Sequence, residues 1–544
     1  MFLVAYPRPG FLAVAPLPGL EKFLMKKTAP GPASGAQLEG GALGTAGIVF
    51  FVVAAAAPLL VMAGVAPLAL NVGGIGAPGG YILAGLALGV FAIGFTAMSK
   101  YIHNAGAFYS YISLGLGPRW GLAAAVLALV SYNALEIGIF GALGYFTQST
   151  TADLVGLDLP WGLWSLIGVG LIWFLGSRSV HVGARFLILL LSAETGILVL
   201  LAVAVLLRGG AEGLTFESFA PAHVFSPGLG GVLTLAFAAF IGFEATALYR
   251  EEAKDPSRTI PRATYLAVAF LGLFYAFMVW IIIQAYGPDQ ALALAASDPA
   301  AMYFDAIENY VGGSASTLME LLIITSILAS LLAFHNAITR YAFALSREHV
   351  LPRVLGKLHP VYKSPYVASA VQSLLAAVVI AGFALAGADP YLQLLLWVNS
   401  PGVVGIAVLQ AMAAAAVLAF FWRDRRGHSV WRVRVAPAAA LAMLMYATWL
   451  IVAKMDLLTA AGPAVNTILV AVTPVSLMIG LALGMRLARR NPDLYARLGT
   501  TDVDAEPAVP AEEPSSPRSA GRSGGLRHGR PGRRNGFLTE DFDR

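Results

Sequence analysis

The sequence predicts an all-α polytopic membrane protein with twelve transmembrane helices. Three observations support this fold class: the composition, the runs of apolar residues and the distribution of positive charge. Of the 544 residues, 58% are hydrophobic and 12% are charged, with a mean hydropathy of +0.74, whereas soluble domains carry about 25% charged residues. The chain has no cysteine, which excludes disulfides, thiol catalysis and cysteine-ligated metal sites.

Twelve runs of apolar residues follow one another along the chain, most of them close to the roughly 20 residues that a helix needs to cross a bilayer. We call them segments 1 to 12. Segment 4 is short and needs Trp161 and Trp164 as an interfacial start. The segments cover residues 46–70, 79–99, 119–146, 162–177, 183–207, 229–250, 263–286, 317–344, 365–387, 391–421, 434–454 and 464–486.

The basic residues predict how the segments are oriented. Between Lys100 and Arg490, the connections after even-numbered segments and the segment ends beside them hold 21 Lys and Arg, and the connections and segment ends of the opposite side hold only Arg208 and Lys454. Basic connections stay in the cytoplasm, so both termini are expected on that side. The sequence therefore predicts a multi-pass protein of a bacterial-type inner membrane.

Both ends of the chain are expected outside the bilayer. The stretch FLAVAPLPGL is interrupted by prolines and no clean cleavage pattern follows it, so we interpret residues 1–43 as a cytoplasmic N-terminal segment. Met25 is an alternative start of translation. Residues 491–544 are rich in Pro, Gly, Ser and Arg, which predicts a disordered cytoplasmic tail.

Segment 6 is interrupted in its middle. The apolar run GLGGVLTLAFAAF reaches Ile241, Gly242, Phe243 and Glu244 before the charged stretch YREEAKDPSRTIPRA. Backbone groups that a break sets free find no water in hydrocarbon, so such a break is expected only where it is covered by protein or lines a cavity. This interruption is typical of a transporter's binding site.

Segment 1 contains a second interruption. Pro58 follows a run of alanines and suits the first position of a new helix. We therefore expect a half-helix, an unwound stretch at Ala55, Ala56 and Ala57, and a second half-helix from Pro58. The two broken segments lie five segments apart, and a repeat of odd length returns inverted. Residues 44–210 and 211–422 are thus predicted to form a 5+5 inverted repeat, with two extra C-terminal helices at 423–490.

The two breaks also predict a binding site. Amides at the start of the second half of segment 1 carry a partial positive charge and can hold a carboxylate. Carbonyls near Phe240, Ile241 and Gly242 can accept hydrogen bonds from an ammonium group, so a zwitterionic amino acid satisfies both. A proline kink and close packing at a glycine explain either break alone; the pair in register favours a site.

Three blocks resemble the amino acid–polyamine–organocation permease family. FIGFEATALYREEAKDPSRTIPRA (240–263) is similar to that family's sixth helix and the following loop, NAGAFYSYISLGLG (104–117) to the stretch after helix two, and TRYAFALSREHVLPRVLGKLHPVYKSP (339–365) to the end of helix eight. The resemblance implies ten core helices in two inverted repeats, two further helices, and secondary transport of amino acids or related amines. Many members carry Gly-Ser-Gly where this chain has alanines, so the serine hydroxyl is missing here.

Ionisable residues within the segments are candidates for coupling or gating, because charges in a membrane are costly. Glu136, Glu194, Glu244 and His335 are the main ones. Glu194 can carry a proton or ligate a cation; some relatives resemble this stretch with a lysine there, beside the site that other relatives use for sodium. A satisfied structural carboxylate is the alternative. Glu244 either faces the substrate's amine or bonds the broken backbone.

The remaining candidates have equally plain alternatives. His335 is a proton relay or a bonded core histidine, and Glu136 and Glu320 lie near segment ends, where contact with water also explains them. Phe240 and Phe243 are gating aromatics or simple packing residues. The charged loop after segment 6 is an inner gate with exchangeable ion pairs or a solvated cytoplasmic loop.

The function that follows is alternating-access transport of an amino acid, with a proton or sodium gradient as the candidate driving force and no cofactor or metal. A polyamine or organic-cation carrier is the alternative within transport. A membrane-embedded enzyme or a substrate sensor is the alternative of another class. No Walker motif or H-E-x-x-H is present, and GIGAPG (74–79) lacks the strand that a dinucleotide site requires. The expected partners are a small solute and the bilayer, not nucleic acid.

Overall fold

A computed structural model describes residues 41 and 43–499, apart from 103–105 and 179. In this part of the chain every regular element is a helix, and the only β-type pairing is one parallel bridge between Leu43 and Ala253. The all-α prediction is confirmed. The predictions for residues 1–40 and for the tail beyond residue 499 fall outside the described residues.

Each predicted apolar segment contains helix. The long helices that form segments 2 to 12 are Ala77–Met98, Pro118–Val155, Trp161–Gly176, Val180–Arg208, Leu229–Ala239, Pro256–Tyr286, Gly313–Arg347, Tyr366–Leu385, Leu396–Trp422, Ala436–Ala453 and Pro463–Arg490. Segment 1 consists of Thr45–Ala55, Pro58–Leu60, the π-helical Val61–Val65 and Ala66–Gly73. Segments 10 and 11 begin with the π-helical turns Pro390–Leu395 and Trp431–Val435.

Shorter helices join the segments. They are the α-helices Ala107–Leu116, Pro221–Val224, Pro288–Ser297, Met302–Tyr310, Met455–Thr459 and Pro492–Arg497, and the 3₁₀-helices Gly74–Gly76, Ser99–Tyr101, Glu217–Phe219, Phe243–Glu252 and Arg353–Gly356.

Ten helical runs in the described residues are long and apolar enough to cross a membrane. The first, Thr45–Tyr101, has 57 residues and contains both segment 1 and segment 2. Segment 4, Trp161–Gly176, has 16 residues and is shorter than the other runs. The chain is therefore a multi-pass membrane protein, and the finer count of twelve crossings depends on these two places.

The segments pack through close helix contacts. Segment 3 packs against segments 8, 10 and 12, and segment 2 against segments 7 and 11. At the crossing of segments 2 and 7, a Cβ on Gly85 would lie 3.2 Å from the Cα of Gly272, a tight contact that favours glycine at position 85. Small residues that bring backbones together are characteristic of membrane helix bundles.

Residues 491–499 are folded, although the composition predicts a disordered tail from residue 491. Within this range, Pro492–Arg497 is helical and Leu498 is only 2% exposed. The Gly499 amide donates to Glu348 Oε2 at 2.9 Å, and Tyr109 donates to the same oxygen. Residues 491–499 thus belong to the folded part, because Leu498 and these hydrogen bonds attach them to it.

Candidate functional site

The interruption of segment 1 lies where the alanine–proline sequence predicts it. The α-helix ends at Ala55, and Ala57 has φ +44° and ψ +70°, a left-handed conformation that is uncommon outside glycine. A new helical run then starts at Pro58. The amides of Ala56 and Ala57 donate to Val52 O and Ala54 O, and Pro58 has no amide hydrogen. Leu59 and Leu60 therefore supply the first amide N–H groups of the second half, which have no partner within the helix.

The interruption of segment 6 also lies where it is predicted. The α-helix ends at Ala239, Gly242 has φ +116°, and a 3₁₀-helix starts at Phe243. The carbonyls of Phe240 and Gly242 already accept hydrogen bonds from Phe243 N (3.5 Å) and Ala245 N (3.1 Å). These carbonyls are therefore less free than the sequence predicts, because each has one lone pair engaged within the turn.

The two interruptions meet. A Cβ on Gly242 would lie 2.9 Å from the Cβ of Ala55 and 3.5 Å from the backbone nitrogen of Ala56. Glycine is required here for two reasons, its positive φ and this close approach. Neighbouring segments hold the first break open: Ser330 Oγ donates to Ala55 O at 2.8 Å, and the Tyr275 hydroxyl donates to Ala56 O at 3.2 Å.

A cavity of about 150 Å³ lies at this meeting point. Its walls come from the breaks of segments 1 and 6, the second half of segment 1, and segments 3, 8 and 10. Leu457 and Leu458, between segments 11 and 12, also line it. No charged side chain is among the described residues that line it; the polar side chains are Ser330, Tyr391, Asn399 and Ser400. The cavity is smaller than the roughly 300–1,000 Å³ of drug-sized ligand sites, so it suits a small solute.

The structure brings together four of the seven predicted substrate residues. Ala55, Ala56, Ala57 and Ile241 line the cavity. The other three do not: Phe240 packs edge-on against Tyr275, Phe243 packs edge-on against Phe91, and Gly242 contacts segment 1. For the two phenylalanines, the packing alternative describes their position.

Segment 10 contributes the polar groups that the sequence analysis does not identify. Tyr391, Asn399 and Ser400 lie in a mostly apolar stretch, YLQLLLWVNSPGVVG. The Asn-Ser-Pro triplet inside a membrane segment was the available signal, because polar side chains there tend to face a cavity or a partner helix.

Glu244 bonds the broken backbone. Its carboxylate accepts from Gly242 N at 3.1 Å and from the Tyr132 hydroxyl at 3.1 Å, and the side chain is 1% exposed. It does not line the cavity. The geometry agrees with the second of the two alternatives for this residue, a carboxylate that fixes the turn after segment 6.

Glu194 is fully buried beside the start of the second half of segment 1. Its carboxylate faces the amide of Leu59 and the hydroxyl of Ser326, but neither oxygen makes a hydrogen bond of normal geometry. A negative charge at a helix N-terminus is favoured by the helix dipole, which explains why a carboxylate is tolerated at this place.

Glu136 and His335 form a buried network. His335 Nδ1 lies 3.0 Å from Glu136 Oε1, His335 Nε2 lies 2.8 Å from Ser369 Oγ, and Gln372 donates to Glu136 Oε2. Glu136 is 1% exposed within Pro118–Val155, so the interpretation of a water-exposed residue near a segment end is wrong for it. Glu320 is partly exposed, as that interpretation expects.

The end of the bundle that carries the first half of segment 1 is closed by a buried ion pair. Arg340 donates to both oxygens of Glu252 at 2.7 and 2.8 Å, with side chains only 4% and 3% exposed. The Arg340 guanidinium lies 5.2 Å from the centre of the Tyr249 ring, which stacks on Phe51 at 4.9 Å. This contact joins segment 8, the loop after segment 6 and segment 1.

The backbone at Leu43 strengthens this closure. Leu43 N donates to Glu252 O at 2.8 Å, and Lys254 N donates to Leu43 O at 2.9 Å. The chain leading into segment 1 is thereby paired with the loop after segment 6. Among the described residues, no cluster of three His, Cys, Asp or Glu has the spacing to hold a metal ion.

Residues 43–482 match the amino acid permease family. The chain belongs to this family. The match covers most of the chain and confirms the resemblance to amino acid–polyamine–organocation permeases. The family and its relatives are transporters, so the chain is a transport protein and not an enzyme.

Three relatives show the breadth of the family. An uncharacterized transporter of Mycobacterium tuberculosis is 26% identical over 347 residues, which cover 63% of this chain and 73% of the relative. The low-affinity putrescine importer PlaP of Escherichia coli is 28% identical over 302 residues, or 53% and 64% of the two chains. The branched-chain amino acid permease BcaP of Lactococcus lactis is 26% identical over 296 residues, or 51% and 62%.

Proposed function

We propose that this permease is a secondary active transporter of amino acids with apolar side chains. One observation carries the proposal: the cavity at the two helix breaks is lined mainly by backbone, small residues and apolar side chains, with a few neutral polar groups and no charged side chain among the described residues. A zwitterion brings both of its own charges and needs backbone dipoles to meet them. Its apolar side chain then lies against Leu60, Val61 and Ile139.

The carboxylate of such a substrate would bind at the start of the second half of segment 1. There the Leu60 amide, which has no partner within the helix, and the helix dipole offer a partial positive charge. The ammonium group would lie against the second lone pairs of the carbonyls at the break of segment 6, with the Ser330 hydroxyl nearby. This arrangement needs no serine in the unwound stretch, which is why the alanines at 55–57 are compatible with it.

A polyamine is the second candidate, since one relative is a putrescine importer. A dication without a carboxylate needs acidic side chains, because a buried charge without a partner is strongly destabilised. The described lining offers none. The branched-chain amino acid permease is therefore the better guide to the substrate class.

The proposed topology has twelve crossings and both termini in the cytoplasm of the inner membrane. The run Thr45–Tyr101 would span about 85 Å as one straight helix, nearly three times a hydrocarbon core of about 30 Å. Gly74, with φ +65° and ψ −163°, breaks it between segments 1 and 2. Segment 4 would cross the membrane with the tryptophans at its start lying at the interface. Segments 1–5 and 6–10 would form the two inverted repeats.

Alternating access would then use the Arg340–Glu252 pair as the inner gate. The cavity extends along the second half of segment 1, and none of the described residues before Ala55 lines it. In the proposed topology this state is closed toward the cytoplasm and its cavity lies on the outer side. Opening inward requires Arg340 to release Glu252 and Leu43 to separate from the loop after segment 6.

Glu194 supplies a coupling mechanism. Its carboxylate and the substrate's carboxylate would lie at the same helix start, one near the Leu59 amide and the other near the Leu60 amide. Two negative charges at one positive end repel each other, so protonation of Glu194 favours substrate binding. Substrate and proton would thus move together. A sodium ion held by Glu194 and Ser326 would relieve the same repulsion and is the alternative coupling ion.

The substrate class is tested by uptake into proteoliposomes with purified full-length protein. We expect uptake of radiolabelled leucine that is inhibited by valine and isoleucine and is unaffected by putrescine. Uptake of putrescine without uptake of any amino acid would overturn the proposal. Binding of amino acids without uptake under any imposed gradient would instead indicate a sensor.

The coupling residue is tested with Glu194→Gln, which keeps the shape of the side chain and removes the titratable charge. We expect binding that no longer depends on pH and uptake that an imposed proton gradient no longer drives. Glu320→Gln, at a partly exposed carboxylate outside the site, is the matched control. Proton-driven uptake that survives in Glu194→Gln would exclude this role, and a sodium requirement in the wild type would favour the alternative.

A further inference from the structure

The connection between segments 10 and 11 forms a recess of about 620 Å³ that is strongly basic. Four arginines line it against a single acidic residue. We call this cavity the basic recess; its charged residues are Arg423, Arg425, Arg426, Arg434 and Asp424, with His428 beside them.

The connection has a fixed conformation. The Arg426 guanidinium lies 4.2 Å from the centre of the Phe420 ring and 4.8 Å from that of Tyr101, and the Tyr101 hydroxyl lies 3.2 Å from His428 Nε2. The Arg426 amide donates to Asp424 Oδ1 at 2.9 Å. The single acidic residue of the recess is thus used to cap the turn, and within the described lining the arginines have no carboxylate of their own.

Burial and the nearby charges of Arg432 and Lys100 lower the pKa of His428 below its ordinary value. His428 is therefore neutral at physiological pH and acts as a hydrogen-bonding partner of Tyr101. The positive charge of the recess comes from the arginines alone.

Arg434 is held in place with part of its hydrogen-bonding capacity unused. Its Nη2 donates to Trp422 O at 2.5 Å, and its guanidinium lies 5.8 Å from the centre of the Trp422 ring. Its Nε is buried and has no hydrogen-bond partner in the described part of the chain. A planar guanidinium is suited to a phosphate oxygen.

Two exposed tryptophans place the recess at the membrane surface. Trp422 is 64% and Trp431 is 60% exposed, at the end of segment 10 and the start of segment 11. Tryptophans at helix ends lie at the level of the lipid headgroups. A basic recess at the adjoining ends of two membrane helices, at that level, has the charge and position of a headgroup site on the cytoplasmic side of the proposed topology.

We propose that the basic recess binds the phosphodiester headgroup of an anionic phospholipid. The arginines would contact the phosphate, and the acyl chains would lie along the exposed apolar faces of segments 10 and 11 beside the two tryptophans. This assignment does not depend on which solute the permease carries.

The test measures retention of phosphatidylglycerol by full-length protein in nanodiscs, with phosphatidylcholine as the comparison lipid, by native mass spectrometry. Arg423 and Arg425 are exposed, so Arg423→Gln/Arg425→Gln is the variant of choice. We expect retention of phosphatidylglycerol to weaken about fivefold for each arginine removed, with retention of phosphatidylcholine unchanged.

Lys357→Gln/Lys363→Gln is the matched control, because it removes the same charge from exposed positions outside the recess, on the same side in the predicted topology. It should retain phosphatidylglycerol like the wild type. Equal losses in both double variants would overturn the proposal, since they would indicate general surface attraction. So would a wild type that retains both lipids equally, or one from which inorganic phosphate displaces phosphatidylglycerol.

Discussion

Gly242 is the residue on which the contact of the two breaks depends. A side chain there meets a φ of +116° and a Cβ position 2.9 Å from Ala55 Cβ. We expect Gly242→Ala to lower the free energy of unfolding by about 1–3 kcal/mol and to reduce uptake strongly. Thermal unfolding in detergent and proteoliposome uptake measure the two effects.

Gly89→Ala is the matched substitution for this prediction. Gly89 lies in the helix of segment 2, where a Cβ would have no atom within 4 Å and φ is not positive. Alanine is favoured over glycine in a helix by about 0.5–1 kcal/mol, so this variant should be as stable as the wild type or more so. Similar losses for Gly242→Ala and Gly89→Ala would show that the contact at Ala55 has no special role.

At the scale of single residues, the sequence predicts the breaks but not every role. Pro58 and Gly242 are visible because proline and glycine have distinctive backbone requirements. The roles of Phe240 and Phe243 could not be predicted, since the same aromatic side chain lines a cavity or packs against a neighbour according to the rotation of its helix. Glu244 was predictable only as one of two alternatives, because its hydrogen bonds to Gly242 and Tyr132 depend on a turn that no pattern specifies.

The ion pair between segment 8 and the loop after segment 6 permits a prediction about these elements. Removing one partner of a buried pair leaves an uncompensated charge, which costs about 3–5 kcal/mol. We expect that loss of stability in Arg340→Ala, and a smaller loss in Arg340→Ala/Glu252→Ala, where no charge is left alone. Thermal unfolding compares the two variants.

An exposed pair in the same loop provides the comparison for this prediction. Arg258 lies 3.7 Å from Asp255, with side chains 76% and 50% exposed. Exposed pairs contribute little, so Arg258→Ala should unfold like the wild type. If Arg340→Ala is equally harmless, the Glu252 pair does not hold the inner side closed.

The network at Glu136 connects segments 3, 8 and 9, and it predicts a rescue. Glu136→Gln offers one acceptor oxygen in place of two, so either His335 or Gln372 loses its partner, at a cost of about 1–3 kcal/mol. Adding Gln372→Glu restores this hydrogen bond with donor and acceptor exchanged, because the amide at position 136 then donates to the carboxylate at position 372. We expect the double variant to recover stability, with a coupling energy of about 0.5–3 kcal/mol. Strictly additive losses would contradict a connected network.

The elements themselves follow from the sequence to different degrees. Apolar length predicts where every segment lies, because a bilayer imposes the same requirement on each. The π-helical starts of segments 10 and 11 and the 3₁₀-helix Phe243–Glu252 have no comparable signal, since neighbouring segments select those backbone conformations. The network at Glu136 needs three segments in register, so the partners of Glu136 could not be identified from the sequence alone.

At the scale of the whole molecule, the arrangement of the crossings is the prediction with the widest consequences. The chain has no cysteine, so a single introduced cysteine reports the side of the membrane without background. Leu157, Leu214 and Val361 are exposed by 42%, 41% and 74% in connections between segments. With twelve crossings, Leu157→Cys and Leu214→Cys should react with an impermeant maleimide applied outside intact cells, and Val361→Cys only after permeabilisation.

Positions 157 and 214 together test whether segment 4 crosses the membrane and whether Thr45–Tyr101 crosses it twice. Segments 4 and 5 lie between Leu157 and Leu214, so a segment 4 that does not cross would put these residues on opposite sides. If Thr45–Tyr101 crossed once, only two crossings would separate Leu157 from the N-terminus, and it would react from the cytoplasmic side. The unsubstituted chain, which should stay unlabelled, is the control. Labelling of both positions from outside, with Val361 protected, requires both places to cross as proposed, because each missing crossing reverses all the positions that follow it.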